Sequence, residues 1–199
     1  MSYPEKEVQP KDYKRLRRYD TPGQARALNF ACFRNQRFLT SDRAKLWFAQ
    51  AVAKFLPEFQ TDLWAYCVMP THAHLLVFPR GAPQIAKLLA SIKKSVTVRA
   101  VRYLERNAPH FLPRMTDLQP NGQAVRRFWQ RGGGFDRNLR ASRGLWNVID
   151  YIHRNPVSEG LAARPELWTW SSAPWYLEQR PGPMPLQLEK LPPRRWTGR

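Results

Sequence analysis

Two cysteines in 199 residues exclude a disulfide framework. Cys32 and Cys67 each lie inside an apolar stretch, where a buried free thiol is expected. Histidine is nearly as scarce, with four in the chain, and glycine is sparse at ten, three of them consecutive at Gly132–Gly134. Acidic residues are few: 15 Asp and Glu stand against 33 Lys and Arg, a formal net charge of +18. So lopsided a field attracts polyanions, nucleic acid ahead of an anionic membrane surface. No run approaches the roughly 18 uncharged apolar residues that a membrane span requires. The opening Met1–Lys6 shows no apolar secretory segment. A cytoplasmic, nucleoid-associated protein with no membrane partner is the expectation.

What the chain does contain is enough for one core: 43% hydrophobic and 13% aromatic residues. Residues 1–24, with Lys11, Lys14, Arg15, Arg17 and Arg18 and no sustained apolar period, read as a basic arm. Residues 25–176 read as the folded domain and 177–199 as a Pro-rich basic tail, expected to be disordered or ordered only by substrate from Pro181 onward. Alternation predicts a strand over Ala25–Phe33, with Ala27, Asn29 and Ala31 on one side and Leu28, Phe30 and Cys32 on the other. Thr40 or Ser41 can cap a helix running to Leu56, where Pro57 closes it. Leu63–Met69 and His72–Phe78 read as two strands joined at Pro70. Pro83 can open a long helix to Glu105, its apolar side Ile85, Leu88, Leu89, Ile92 and Val96. Residues 107–125 read as a loop, Phe128–Arg131 as a fourth strand and the three glycines as a hinge. The last clear helix runs from Ser142 to Asn155. The order gives an α+β protein: a ferredoxin-like βαββαβ two-layer sandwich with helices on one face of an antiparallel sheet and a C-terminal helix beside it.

His72 and His74, two apart on a strand, leave the same face and could hold one cation. Two unrelated strand histidines would be spelled the same way, so the pair decides nothing alone. On the last helix, Asn147, Tyr151 and Asn155 lie four apart on one edge of the buried stripe Leu145, Val148, Ile149 and Ile152. That edge can be laid beside the two histidines. His153 falls about 200° round the helix from Tyr151, which suits packing better than catalysis. His110 shows no partner, and Asp136 and Asp150 are as readily explained by salt bridges as by a role in chemistry.

Met69-Pro-Thr-His-Ala-His-Leu-Leu followed by Asp150-Tyr-Ile-His-Arg-Asn-Pro-Val-Ser-Glu-Gly-Leu resembles the REP-associated tyrosine transposases, relatives of the IS200-like single-strand transposases in the HUH nuclease superfamily. The likeness extends to Phe135-Asp136-Arg137 and Trp170-Ser171-Ser172 and spans roughly residues 25–176. It implies that His72 and His74 bind a divalent cation, Mg²⁺ or Mn²⁺, with Asn155 as third ligand, and that Tyr151 is the nucleophile. Some relatives carry glutamine where this chain has the shorter Asn155. The implied reaction is cleavage and strand transfer of single-stranded DNA at hairpin-forming repetitive palindromes, through a 5′-phosphotyrosine. Candidate DNA contacts are Arg15, Arg17, Arg18, Lys93, Lys94, Arg131 and Arg137. Both monomer and homodimer fit, with the tyrosine helix set against its own histidines or a partner's. Two other readings compete: a basic DNA- or RNA-binding protein that keeps the fold without cutting, and a structural zinc site recruiting Cys67.

Overall fold

A computed structural model describes residues 22–132, 136–139 and 142–194. The first strand, β1 (Ala25–Ala31), sends Leu28 and Phe30 to one side and Ala25 and Ala27 to the other. α1 (Asp42–Glu58) starts at Ser41, whose hydroxyl accepts the Ala44 amide at 3.3 Å, an N-cap bond as the sequence predicts. β2 (Thr61–Val68) and β3 (His72–Pro79) form an antiparallel hairpin closed by the Met69 amide donating to the His72 carbonyl at 2.8 Å. α2 (Ile85–Asn107) follows and buries Leu88, Leu89, Ile92 and Val96. After a 3-10 turn at Pro109–Met115 come a short hairpin, β4 (Thr116–Leu118) with β5 (Ala124–Arg126), then β6 (Asp136–Leu139), α3 (Ser142–Ser158) and α4 (Ala173–Glu178).

The main sheet is antiparallel with order β2-β3-β1-β6, the interleaved order of a βαββαβ sandwich. α1 and α2 cover one face over Phe30, Phe48, Leu75 and Val77. α3 packs on the other over Trp64, Cys67, Leu76 and Ile149. Both thiols are buried and free, and burial pushes that of Cys32 up to about 12. A register shift at Trp64 turns that ring onto the α3 face, where it stacks on Phe78 at 4.7 Å.

Several expectations require correction. The fourth strand is β6, not Phe128–Arg131. Phe128 and Trp129 are drawn into the α1/α2 core against Phe30 and Phe48, so their segment keeps only one bridge, Cys32 to Trp129. β6 pairs with Ala25–Leu28 instead. Residues 107–125 are not structureless, since the 3-10 turn and the β4–β5 hairpin lie within them. Pro57 and Pro156 sit in the last turns of α1 and α3 rather than beyond them, because proline's fixed φ is already helical and each removes one amide donor.

The described part of the tail, through Arg194, packs on the domain. The Gln187 amide donates to the Leu63 carbonyl at 3.0 Å, the Gln187 side chain accepts the Leu63 amide, and Met184 is buried. Upstream, Val68 donates to the Trp170 carbonyl and Ser172 to that of Tyr66. These segments satisfy the outer edge of β2, which would otherwise offer unpaired amides and carbonyls to another chain. Proline richness hid that role, since prolines suit a chain that covers an edge through occasional bonds.

Candidate active site

Strand alternation puts His72, His74, Leu76 and Phe78 on the α3 face of β3. The two imidazoles lie edge to face with centroids 4.7 Å apart. α3 brings Tyr151 to the same place: its ring meets that of His74 at 5.7 Å, within one chain. Asn155, one turn later, is buried and donates from Nδ2 to the Tyr151 carbonyl at 2.7 Å, which leaves its Oδ1 as an acceptor. Tyr151 is 60% exposed, so a large incoming strand can reach its hydroxyl. The four residues singled out on two distant segments therefore form one cluster.

The electrostatics keep the histidines neutral. Burial pushes the His74 imidazole down to about 4, the His72 charge acts in the same direction, and the nearby Asn155 amide opposes both. His72 is also lowered by burial, against the pull of Glu159. The Thr71 hydroxyl lies 2.9 Å from His72 Nδ1 and can accept its proton, leaving Nε2 as the open lone pair. His74 Nε2 is buried and makes no geometrically formed hydrogen bond. A buried ring nitrogen without a partner is costly, and a cation is one way to satisfy it. Two neutral imidazoles and an amide oxygen suit an open site for a divalent ion that keeps several waters. Among the described residues no three of His, Cys, Asp and Glu gather, so the zinc site through Cys67 is not assembled.

Two residues at this site escaped the sequence reading. Asn29 stands on β1 directly across from His74, and its Oδ1 is buried without a hydrogen bond. The signal was its place as the one polar residue between Ala27 and Ala31. Glu159, four residues beyond Asn155, acts on both His72 and Cys67 through its charge. Continuing the spacing of four from Tyr151 and Asn155 would have found it.

His153 points away from this cluster, as expected. It is buried, with Nε2 2.8 Å from the Ser172 hydroxyl and its ring 5.0 Å from Tyr176. Burial takes its pKa from 6.5 down to about 4. The unfolded chain then binds the proton more readily, so stability present above about pH 6.5 is lost as pH falls toward 4. Urea denaturation at pH 7 and 4.5 should show a loss on the order of 3 kcal/mol from this group, and His153→Gln should flatten the slope.

Of the candidate DNA contacts, Lys93, Lys94 and Arg131 do come together, joined by Arg126 and Arg127 around a cavity of about 300 Å³. Lys93 donates to the Gly132 carbonyl at 2.8 Å, while Asp117 holds Arg127 and Arg131. Arg15, Arg17, Arg18 and the side chain of Arg137 lie outside the described residues, as do Gly133 and Gly134 of the expected hinge. Gly132 has φ +84°, which favours glycine. Asp150 makes a salt bridge to Arg194 at 2.7 Å, and His110 packs on Phe111.

A ferredoxin-like sheet that presents paired histidines to a tyrosine and an asparagine on one helix defines a class: α+β proteins with a composite His-Tyr site. The chain is similar to a Haemophilus influenzae protein provisionally named a REP-associated tyrosine transposase, with 28% identity over 126 residues. That match covers 63% of this chain and 66% of the relative, just under two thirds of its length. In fold the chain is similar to the solved structure of a REP-associated tyrosine transposase bound to a REP hairpin. The TM-score is 0.63 at 19% identity, covering 90% of this chain and 97% of that one. No family model matches the chain. The resemblance read from the two motifs is thus met again in overall sequence and in fold. No helix among the described residues is long and apolar enough to cross a membrane.

Proposed function

We propose that the protein is a metal-dependent single-strand DNA endonuclease and strand transferase that acts at hairpin-forming repetitive palindromes through Tyr151. The observation that carries this reading is the meeting, within one chain, of His72, His74, Asn155 and an exposed Tyr151. The net charge of +18 supports a nucleic-acid substrate, and the likeness in fold to a transposase bound to a REP hairpin supports hairpin DNA as its class.

His72 and His74, held neutral, would bind Mg²⁺ or Mn²⁺ through their Nε2 atoms, with Asn155 Oδ1 as third donor. When bound, the ion supplies neutralisation of charge developing on a phosphate oxygen. α3 holds the Tyr151 ring 5.7 Å from that of His74, so a phosphate bound at the histidines would lie near the nucleophile. The Tyr151 hydroxyl gives up its proton to solvent as its oxygen forms the bond to phosphorus, the bond from phosphorus to the 3′ oxygen breaks, and the departing oxygen takes up a proton from solvent to become a 3′-hydroxyl. The products are a 5′-phosphotyrosine and a free 3′ end. The phosphodiester's energy is kept in the protein–DNA bond, so rejoining needs no nucleotide triphosphate.

The test is purified protein with Mn²⁺ or Mg²⁺ and a labelled hairpin carrying single-stranded flanks. A denaturation-resistant DNA-linked species, mapped to Tyr151 by mass spectrometry, is the expected result; intact substrate across palindromes and both metals would overturn it. Independently, Mn²⁺ titration followed by electron paramagnetic resonance should show one site, weakened at least about tenfold in His74→Ala.

A further inference from the structure

On the opposite side of the sheet from Tyr151, a cavity of about 460 Å³ opens between α1, α2 and the 3-10 turn at Pro109–Met115. Its walls are aromatic. Trp47 and Tyr103 meet at 5.6 Å, and Phe38 packs on Phe128 at 5.3 Å. Phe111, 40% exposed, stands at the mouth. An open pocket lined with large rings is costly to leave facing water, and on a folded protein such a patch marks a binding surface.

The chemistry of the lining selects an occupant. Among the described residues, Arg37, Arg43 and Arg114 are its charged lining and no Asp or Glu joins them. The Arg43 guanidinium lies over the Tyr103 ring at 4.2 Å and that of Arg114 over Phe111 at 5.5 Å. Arg114 is further steadied by donating to Gln36 at 2.6 Å. A plain apolar ligand would leave three guanidinium groups without an anion, and a simple anion would leave the rings uncovered. A flat base attached to a phosphate meets both demands.

The cavity also adjoins a basic groove. Phe128 lines both this pocket and the groove formed by Lys93, Lys94, Arg126, Arg127 and Arg131. At its other end, Phe38, Thr40 and Ser41 belong to the loop whose Leu39 amide donates to the carbonyl of Pro70, two residues before His72.

We infer that this pocket receives one unpaired nucleobase of the bound DNA, stacked among Trp47, Tyr103 and Phe111, with Arg37, Arg43 and Arg114 on the adjoining phosphates. The inference rests on the DNA reading above and adds to it a base-reading subsite remote from the reaction. It gives the protein a way to distinguish hairpins by an unpaired position.

The experiment uses the full chain and a palindromic hairpin with single-stranded flanks, with 5-iodo-2′-deoxyuridine placed at each unpaired position in turn. Irradiation and mass mapping should join one position, and not its neighbours, to Phe38, Trp47, Tyr103 or Phe111. Removing the base at that position should weaken binding about tenfold. The double variant Arg43→Gln, Arg114→Gln should lose a similar factor on the intact and on the abasic hairpin, because the phosphates that these arginines grip remain in both. Tight hairpin binding with every cross-link outside these residues, and an abasic series with no weak position, would overturn the inference while sparing the DNA reading. Failure of the wild type to bind any hairpin would overturn both.

Discussion

Tyr151→Phe is expected to reduce covalent DNA-protein product at least about a thousandfold, some 4 kcal/mol of barrier, while leaving hairpin affinity and stability unchanged. The substitution deletes one oxygen and nothing that the fold uses. Tyr151 is largely exposed, its ring edge on His74 survives in phenylalanine, and the bond from Asn155 goes to the main-chain carbonyl. Surface changes of this kind usually shift stability by no more than about 0.5 kcal/mol. Gel-resolved product formation, a binding isotherm and a urea midpoint on the same preparation separate the three quantities. Product surviving in Tyr151→Phe would move the nucleophile elsewhere. A wild type that binds hairpins but forms no product would favour the non-cleaving reading, in which the four site residues persist only as structure.

Each half of the cluster could be read from the periodicities of strand and helix, while the joining of the two halves into one site was implied by the family resemblance. Two residues separate His72 from His74 and four separate Tyr151 from Asn155, so each pair shares a face once the element type is known. The βαββαβ order was legible for the same reason: Leu28 and Phe30, or Leu88, Leu89 and Ile92, declare their periods locally. The interactions that escaped cross long stretches of chain. Trp129 belongs to the ring cluster of Phe30 and Phe48, which nothing in its own neighbourhood announces, so its segment looked like a strand. Gln187 covers β2 from 124 residues away, and composition made that tail look unordered. Asn29 could be placed on a face but not beside His74, because register between strands is set by the whole sheet.

Phe30→Ala is expected to be the most damaging single change to the fold, at about 3–5 kcal/mol. Phe30 is fully buried on β1, with its ring edge-on to Phe48 of α1 at 5.3 Å and to Trp129 at 5.7 Å. Those two rings also pack on each other at 5.7 Å, so the cluster ties the central strand to a helix and to the segment that covers the end of β1. Removing the middle ring leaves a cavity with rigid walls on three sides, and backbone pairing of β1 with both β3 and β6 opposes collapse into it. Against a total stability of about 5–15 kcal/mol for a domain, such a loss brings the protein near its unfolding midpoint at 37 °C. Urea unfolding should show the shift at unchanged slope. Phe48→Ala, costly alone, should add less than its own value in the double variant, because both changes empty one shared space. Full additivity would mean that the rings stabilise the sheet separately rather than as one cluster. The site is the more sensitive reporter: His72 and His74 depend on the β1–β3 register for their place opposite Ala31 and Asn29. Any loosening of Phe30's strand that stops short of unfolding should therefore appear first as weaker Mn²⁺ binding, well before the urea midpoint reaches the working temperature.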